Sequence, residues 1–367
     1  MAKTASRNLT TGSPTRLVIG FLLPLLGGLL FQQLYNMVDT LVVGRFLGMD
    51  ALAGVGSTSS VNFLVLGFCI GICNGFVIPV AQKFGEGDEA ELRRFVANSI
   101  WLSAAFAVVL TVATALLCTP VLRWMNTPDN IFRYAYDYIF VIFLGIPAII
   151  LYNLVSGVIR SLGDSRTPIY FLVLSSLLNV ALDLLAVAVL GMGVEGVAWA
   201  TIIAQGVSAV LVVLELLRPK SCIRLRLRDL KLHGAMLGKI FKVGLPAAIQ
   251  MAITSFSNIF VQSYINRFGS DCMAGWTSYN KIDAFALLPI TSISMAATTF
   301  VGQNLGAGDP VRARQGTRTA LWLSEAATAI ILVPLMIFAP QLIRLFNQEP
   351  DVCAYGTLFI RLSSPFY

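Results

Sequence analysis

Apolar runs of about twenty residues recur along the chain, broken by short polar, glycine-rich or basic segments. Each run is long enough to cross a hydrocarbon core about 30 Å thick. None alternates as a barrel strand would, and a backbone in lipid must satisfy its own hydrogen bonds, so the runs are read as helices. The pattern predicts an all-α polytopic membrane protein. Nine full spans are expected near 17–44, 53–80, 95–118, 134–159, 169–190, 194–217, 241–266, 274–301 and 317–338, with a tenth starting near 354.

Polar residues inside these spans are few and patterned. In the first, Gln32, Asn36 and Asp39 fall at i, i+4 and i+7, on one face of a helix whose opposite face is aliphatic. A carboxylate at bilayer depth costs roughly 2.5–3.5 kcal/mol, which points Asp39 at protein or water. Pro24 cannot donate to the helix ladder and predisposes the same span to bend. Span five repeats the theme with Asn179 and Asp183 at i, i+4, and span six adds Thr201, with Gln205 a turn further on. Two carboxylates, an amide and a hydroxyl form an all-oxygen set suited to Na⁺, or a pair able to hold a proton. Interhelical bridging is the plainer role for Thr201 and Gln205.

Composition and charge narrow the picture. With 56% hydrophobic and 12% charged residues and a mean hydropathy of +0.77, the chain is not a soluble globular protein. Its net charge of +7 comes from basic residues gathered on alternate loops, including Lys83, Arg93, Arg160, Arg166 and the 218–242 region. That is the positive-inside pattern, so the N-terminus is expected in the cytoplasm of a plasma-membrane protein, without nucleic acid as a partner. No removable signal peptide is read at the N-terminus. The six cysteines form no CxxC pair and are read as small packing residues. His233, the single histidine, lies in a basic loop, so His-based catalysis and His-ligated metals are not expected.

The chain also resembles itself. A shift of about 221 residues lays Pro24 near Pro246, Arg45-Phe46 on Arg267-Phe268 and Ala53-Gly54 on Ala274-Gly275. The same shift lays Gln82 on Gln303, Gly85-Glu-Gly-Asp88 on Gly306-Ala-Gly-Asp309, and Trp101-Leu-Ser103 on Trp322-Leu-Ser324. Six spans precede the repeat, so the halves are parallel copies related by an axis along the membrane normal. The expected organisation is an N-terminal six-helix bundle (1–217), a basic linker (218–238) with an alternating IRLRLRDLKL stretch, and a partial C-terminal bundle (239–367). The linker is read as a connector, with an amphipathic surface segment as the alternative. By the offset the second bundle is expected to run to about residue 438, so the chain reads as a fragment with that bundle incomplete.

Candidates for a substrate cleft between the bundles are Gln32, Asn36, Asn153, Gln250, Asn258, Tyr279, Lys281 and Asp283. Lys281 and Asp283 stand at i, i+2, do not face each other on a helix, and are read equally as substrate contacts or as halves of interhelical ion pairs. The loops GEGD and GAGD lack the Lys-Ser/Thr of a phosphate loop, so no nucleotide is expected and no cofactor beyond a coupling H⁺ or Na⁺. A membrane enzyme would need a nucleophile with its base, or a metal cluster, and none is found. A flippase for a lipid-linked precursor would want a cleft rich in Arg and Lys, and only Lys281 and Arg361 lie within the expected spans. A non-transporting membrane protein is the remaining alternative.

Several of these stretches carry a resemblance. Pro24 with NMVDTLVVGRFLG (36–48), VAQKFGEGD (80–88), LNVALD (178–183), GVEGVAWAT (193–201) and VGQNLGAGD (301–309) together resemble the multidrug and toxic compound extrusion (MATE) family. The resemblance implies a V-shaped pair of six-helix bundles, twelve spans in all. It also implies export of amphipathic, often cationic, compounds against inward H⁺ or Na⁺. Under it, Asp39, Asn179, Asp183 and Thr201 match the cation site and Pro24 the bending proline. Some members carry a coupling Glu in span seven; here that span is acid-free.

Overall fold

The computed structural model describes residues 8–125, 127–218 and 231–366. Most of the expected linker, including Cys222 and the greater part of its alternating stretch, lies outside them. Every element among the described residues is helical. The first eight helices are α1 Pro14–Val42, α2 Met49–Ser57, α3 Ser59–Glu86, α4 Glu89–Trp124, α5 Asp129–Leu144, α6 Ile146–Ser161, α7 Thr167–Leu184 and α8 Val194–Leu217. After the linker come α9 Gly234–Ile265, α10 Ser270–Ala286, α11 Leu288–Gly306, α12 Pro310–Ile337, α13 Ala339–Arg344 and α14 Pro350–Ser363.

Eight stretches among the described residues are long and apolar enough to cross a bilayer, and a ninth if α5 and α6 form one bent span. The expected fourth span is this broken pair, bent by 46° at Gly145. Pro147 cannot donate a hydrogen bond to the turn before it, and the apolar run passes through the break unmarked. Likewise the second span begins as the separate α2, and α10 gives way to α11 at Leu287, just before Pro289. The expected tenth span is the 14-residue α14.

Close packing repeats the internal symmetry. A side chain at Gly54 would meet Tyr134 Cβ at 2.7 Å and the backbone of Ile131 and Ala135; one at Gly275 would meet Tyr355 Cβ at 2.9 Å and the backbone of Val352 and Gly356. These partners differ by the same 221 residues, so α2 rests on α5 as α10 rests on α14. Asp88 caps α4 by accepting from the Ala90 and Glu91 amides, and Asp309 caps α12 by accepting from the Arg312 amide.

The core of the N-terminal half (α1–α8) is built on α3, whose Ile72, Phe76 and Val80 are fully buried in a cluster shared with α4 and α6. The same helix forms the seam with the C-terminal half (α9–α14), packing along α9 and against α11. Near the face at which α1 begins, α3 and α11 cross backbone to backbone. Gly85 lies on the Gln303 carbonyl and Gly306 on the Gln82 carbonyl, a contact that exchanges its partners under the repeat. No residue larger than glycine fits either position without moving the helices.

A strap of the N-terminal segment covers that crossing. Leu9 is 1% exposed, its amide donates to Gln303 Oε1 at 3.0 Å, and its carbonyl accepts from Asn304 Nδ2 and Arg312, each at 3.3 Å. Gln303 in turn donates through Nε2 to the Ser161 carbonyl at 2.7 Å, tying α11 to α6. Burying a leucine side chain contributes roughly 1.5–3 kcal/mol, so a single apolar residue in a polar tail suffices as an anchor. After the linker, the chain is pinned to α4, where Asn98 accepts from the His233 amide at 2.9 Å and donates to the Lys231 carbonyl at 3.3 Å.

Candidate functional site: a buried carboxyl pair among α1, α5, α7 and α8

Asp39 and Asp183 come together. α1 packs on α7 and α7 on α8, and the two carboxyl groups sit within hydrogen-bonding reach of each other. Asp183 is fully buried and Asn179, one turn earlier, is 2% exposed. Asn179 donates through Nδ2 to Thr201 Oγ1 at 3.3 Å, and Thr201 donates to the Val197 carbonyl at 3.1 Å. The four residues singled out from the sequence therefore converge on one place.

The hydrogen-bond account at this place does not close. Both oxygens of Asp183, Oδ1 of Asp39 and Oδ1 of Asn179 are buried without a partner. No ion pair reaches either carboxylate among the described residues. Ionised carboxylates only accept, so two of them in contact leave lone pairs facing lone pairs. A proton shared between them, or a hard cation, would complete the arrangement, and the donor set of carboxylate, amide and hydroxyl oxygens fits Na⁺. Among the described residues no group of three or more His, Cys, Asp or Glu could hold a metal ion, so a thiolate- or imidazole-bound transition metal is not what this chemistry suits.

Two tyrosines complete the surroundings, and neither was found from the sequence. Tyr35 on α1 and the buried Tyr138 on α5 both lie alongside Asp39 and Asp183. Tyr35 stands four residues before Asp39, on the same helix face, so the spacing that marked Asn36 and Gln32 could have marked it. Tyr138 has no such signal, because only the packing of α5 on α8 brings it in. An apolar layer of Val42, Val43, Val141, Val187, Val194 and Val197 packs beside the site.

Both aspartates are followed by a π-helical turn, Val43–Leu47 after Asp39 and Leu185–Val189 after Asp183, and the two turns touch. Such turns insert a residue into the ladder and are frequent at functional sites. Pro24 stands inside α1, fifteen residues before Asp39 and within a continuous helix.

The substrate-cleft candidates are scattered. Gln250 lines a cavity of about 270 Å³ between the halves. Asn153 is half-buried and bonds back to the Ile149 carbonyl at 2.8 Å; Asn36 is exposed and donates to Gln33 at 3.2 Å. Gln32 is half-buried on α1 and Asn258 exposed on α9. Tyr279 donates to Asp283 at 3.2 Å within α10, packed against Trp276 and Phe359. Lys281 is exposed over the Phe346 ring at 5.7 Å and makes no ion pair among the described residues. Of the cysteines, the five described are free and buried.

Repeated packing, membrane-length helices and an acid pair within them are features of a polytopic membrane protein. The family model MatE matches residues 24–185 and 246–367, each stretch opening on one of the repeated prolines. The chain belongs to the MATE family of membrane transporters. It is 32% identical over 356 residues to the probable multidrug resistance protein YoeA of Bacillus subtilis, covering 94% of this chain and 76% of that protein. It is 24% identical over 361 residues to a FAD transporter of Shewanella oneidensis, covering 94% and 80%. A MOP superfamily transporter from Pyrococcus furiosus, described as having a binding pocket of reversed polarity, superimposes with a TM-score of 0.90 at 25% identity, over 99% of this chain and 82% of that one.

Proposed function

We propose that the chain is a secondary active exporter that moves amphipathic small molecules, often cationic, out of the cell in exchange for H⁺ or Na⁺. It would sit in the plasma membrane with its N-terminus in the cytoplasm, so that the crossing of α3 and α11 closes the cytoplasmic side. The two bundles, 1–217 and 239–367, would rock about the seam. The observation that carries this reading is the contact between Asp39 and Asp183, with buried oxygens unpartnered and no ion pair to balance them among the described residues. A site built that way binds its ion only transiently or it would be tied off by an arginine. Asn179 and Thr201 would complete the shell. Ion binding would pull α1 toward α7, and Pro24, which leaves the ladder one bond short, would take up the bend. The resemblance to YoeA supports drugs as cargo.

The test is transport by the full chain in proteoliposomes, with an H⁺ or a Na⁺ gradient imposed one at a time. One of the two gradients should drive uptake of a fluorescent drug in wild type, and Asp39→Asn should remove that response. Undiminished driven transport in Asp39→Asn would refute the coupling role.

A further inference from the structure

The cavity of about 270 Å³ between the halves holds a charge that the carboxyl pair does not answer. It lies between α3 and α6 on one side and α9 and α11 on the other. Its polar lining is Asn74, Arg160, Ser161, Gln250, Ser294, Thr298 and Thr299. The sequence pattern counts Arg160 among the cytoplasmic basic residues at the end of a span. It occupies the last turn of α6, half-buried, its guanidinium folded back over Gly157, where a side chain would come within 3.5 Å of it. No acidic residue lines the cavity, and Arg160 forms no ion pair among the described residues. Asp39 and Asp183 do not line it.

A partly buried guanidinium without a counter-charge favours an anionic partner, and its fork of N–H groups matches a carboxylate or phosphate. Thr298 and Thr299 donate their hydroxyl protons to their own helix, at the Ser294 and Met295 carbonyls, so the charged donor the cavity offers an anion is Arg160. Asn74, Gln250 and Ser294 supply neutral groups that can donate to an anion's remaining oxygens. The volume suits the head of a small amphiphile, with its tail running along the seam.

We infer that this seam cavity is a binding site for the anionic head, carboxylate or phosphate, of an amphipathic ligand, with Arg160 as its counter-charge. The inference rests on the export reading only in treating that ligand as cargo. Because the walls come from both halves, a ligand held there bridges the seam and is released only when the halves part. Anionic and zwitterionic amphiphiles therefore belong to the substrate range alongside cations.

Isothermal titration of the full chain in detergent, with no ion gradient, tests this with two probes of similar shape, 4-phenylbutyrate and 3-phenylpropyl-trimethylammonium. Wild type should bind the carboxylate at least about tenfold more tightly than the ammonium, a preference that one charge-assisted pair can supply. Arg160→Gln should erase the preference and Arg160→Lys should keep part of it. Thr298→Glu, which leaves Arg160 in place, should reverse it, and stands in if Arg160→Gln fails to fold. Asp39→Asn should keep the preference even where driven transport is lost, which separates failure here from failure of the coupling reading. Equal binding of the two probes by wild type, or a preference that survives in Arg160→Gln, would overturn the inference.

Discussion

The two halves of this chain are built to one plan and carry different chemistry. Gly54 and Gly275, Gly85 and Gly306, and Asp88 and Asp309 do the same mechanical work at matching places. Yet the position of Asp39 falls on Phe260 or Val261 in the second half, depending on whether the offset is taken as 221 or 222. The ambiguity has a structural cause. The first half reads Arg45-Phe-Leu-Gly48 where the second reads Arg267-Phe-Gly269, and both glycines have left-handed backbones, at φ 87° and 94°. The additional Leu47 is taken up in the π-helical turn after Asp39, while the shorter copy closes as a single 3₁₀ turn. The scaffold is duplicated, and among the described residues the acid of the first helix, with its widened turn, has no counterpart on α9. Packing constraints persist in both copies because the backbone imposes them, whereas a buried carboxylate is expensive and is kept only where it is used.

The sharpest way to break this comparison is to remove the acid on one side and try to supply it on the other. Asp39→Asn or Asp183→Asn should cut gradient-driven transport by about tenfold or more, as loss of a coupling interaction does. Val261→Asp in the Asp39→Asn background should not restore it, because α9 packs along α3 rather than on α7, which carries Asp183. Recovery of driven transport in the double variant would mean that the halves are chemically interchangeable after all.

Deleting Leu47 asks whether the widened turn matters to the site. The first half would then match the second in length, the turn would tighten, and Asp39 would shift against Asp183. Affinity for the coupling ion should fall by about tenfold, the usual cost of disturbing groups that orient a ligand set. Titrating the ion against tryptophan or drug-displacement fluorescence reads this directly. The mirror change, a leucine inserted after Phe268, should leave ion affinity unaltered, and an equal loss from both changes would assign the effect to general distortion.

A shared mechanical feature should respond alike in both halves. Gly85→Val drives a side chain into the Gln303 carbonyl, and Gly306→Val does the same to Gln82. Each should destabilise the closed seam by about 1–3 kcal/mol, as overpacking does. The exchanged geometry requires the two losses to agree within error. A melting experiment on the purified protein, together with cysteine labelling at Gln82 and Gln303 positions, checks both the size and the match.

What the sequence revealed follows the same division. Span positions, the repeat, and the acids on one face of α1 and α7 were visible because each is a local signal: hydropathy, spacing, or a residue type forced by backbone geometry. Asn179, Asp183 and Thr201 were read as companions of Asp39 from face and composition, and the packing of α1 on α7 places them together. Tyr138 was invisible because it enters through tertiary packing alone. The bend at Gly145 was hidden inside an unbroken apolar run, and Leu9 is a lone leucine in a polar tail. Arg160 was legible as a basic residue at a span's end, but not as part of a cavity between the halves, which only the packing of α6 near α9 and α11 creates. The cleft candidates chosen by polarity alone were spread over several faces, since an isolated amide in a helix is as readily bonded to its own backbone, as Asn153 is to Ile149.

The smallest expected difference is at the two helix caps. Asp88 accepts two backbone amides, Ala90 and Glu91, each at 3.0 Å, and begins a helix whose first turn carries Glu89 and Glu91. Asp309 accepts one, Arg312, at 2.8 Å, and precedes Pro310, which has no amide to satisfy. An aspartate cap is worth about 1 kcal/mol, and the worth scales with the number of orphan donors it satisfies. Asp88→Ala should therefore lower the melting temperature more than Asp309→Ala, although the second contact is the shorter. The proline supplies the reason: it fixes the first backbone angle of α12 and removes a donor, so the helix start is held even when its cap is lost. Restoring that donor with Pro310→Ala should make the Asp309→Ala loss larger and bring the two halves into line, and if it does not, the proline is not what sets them apart.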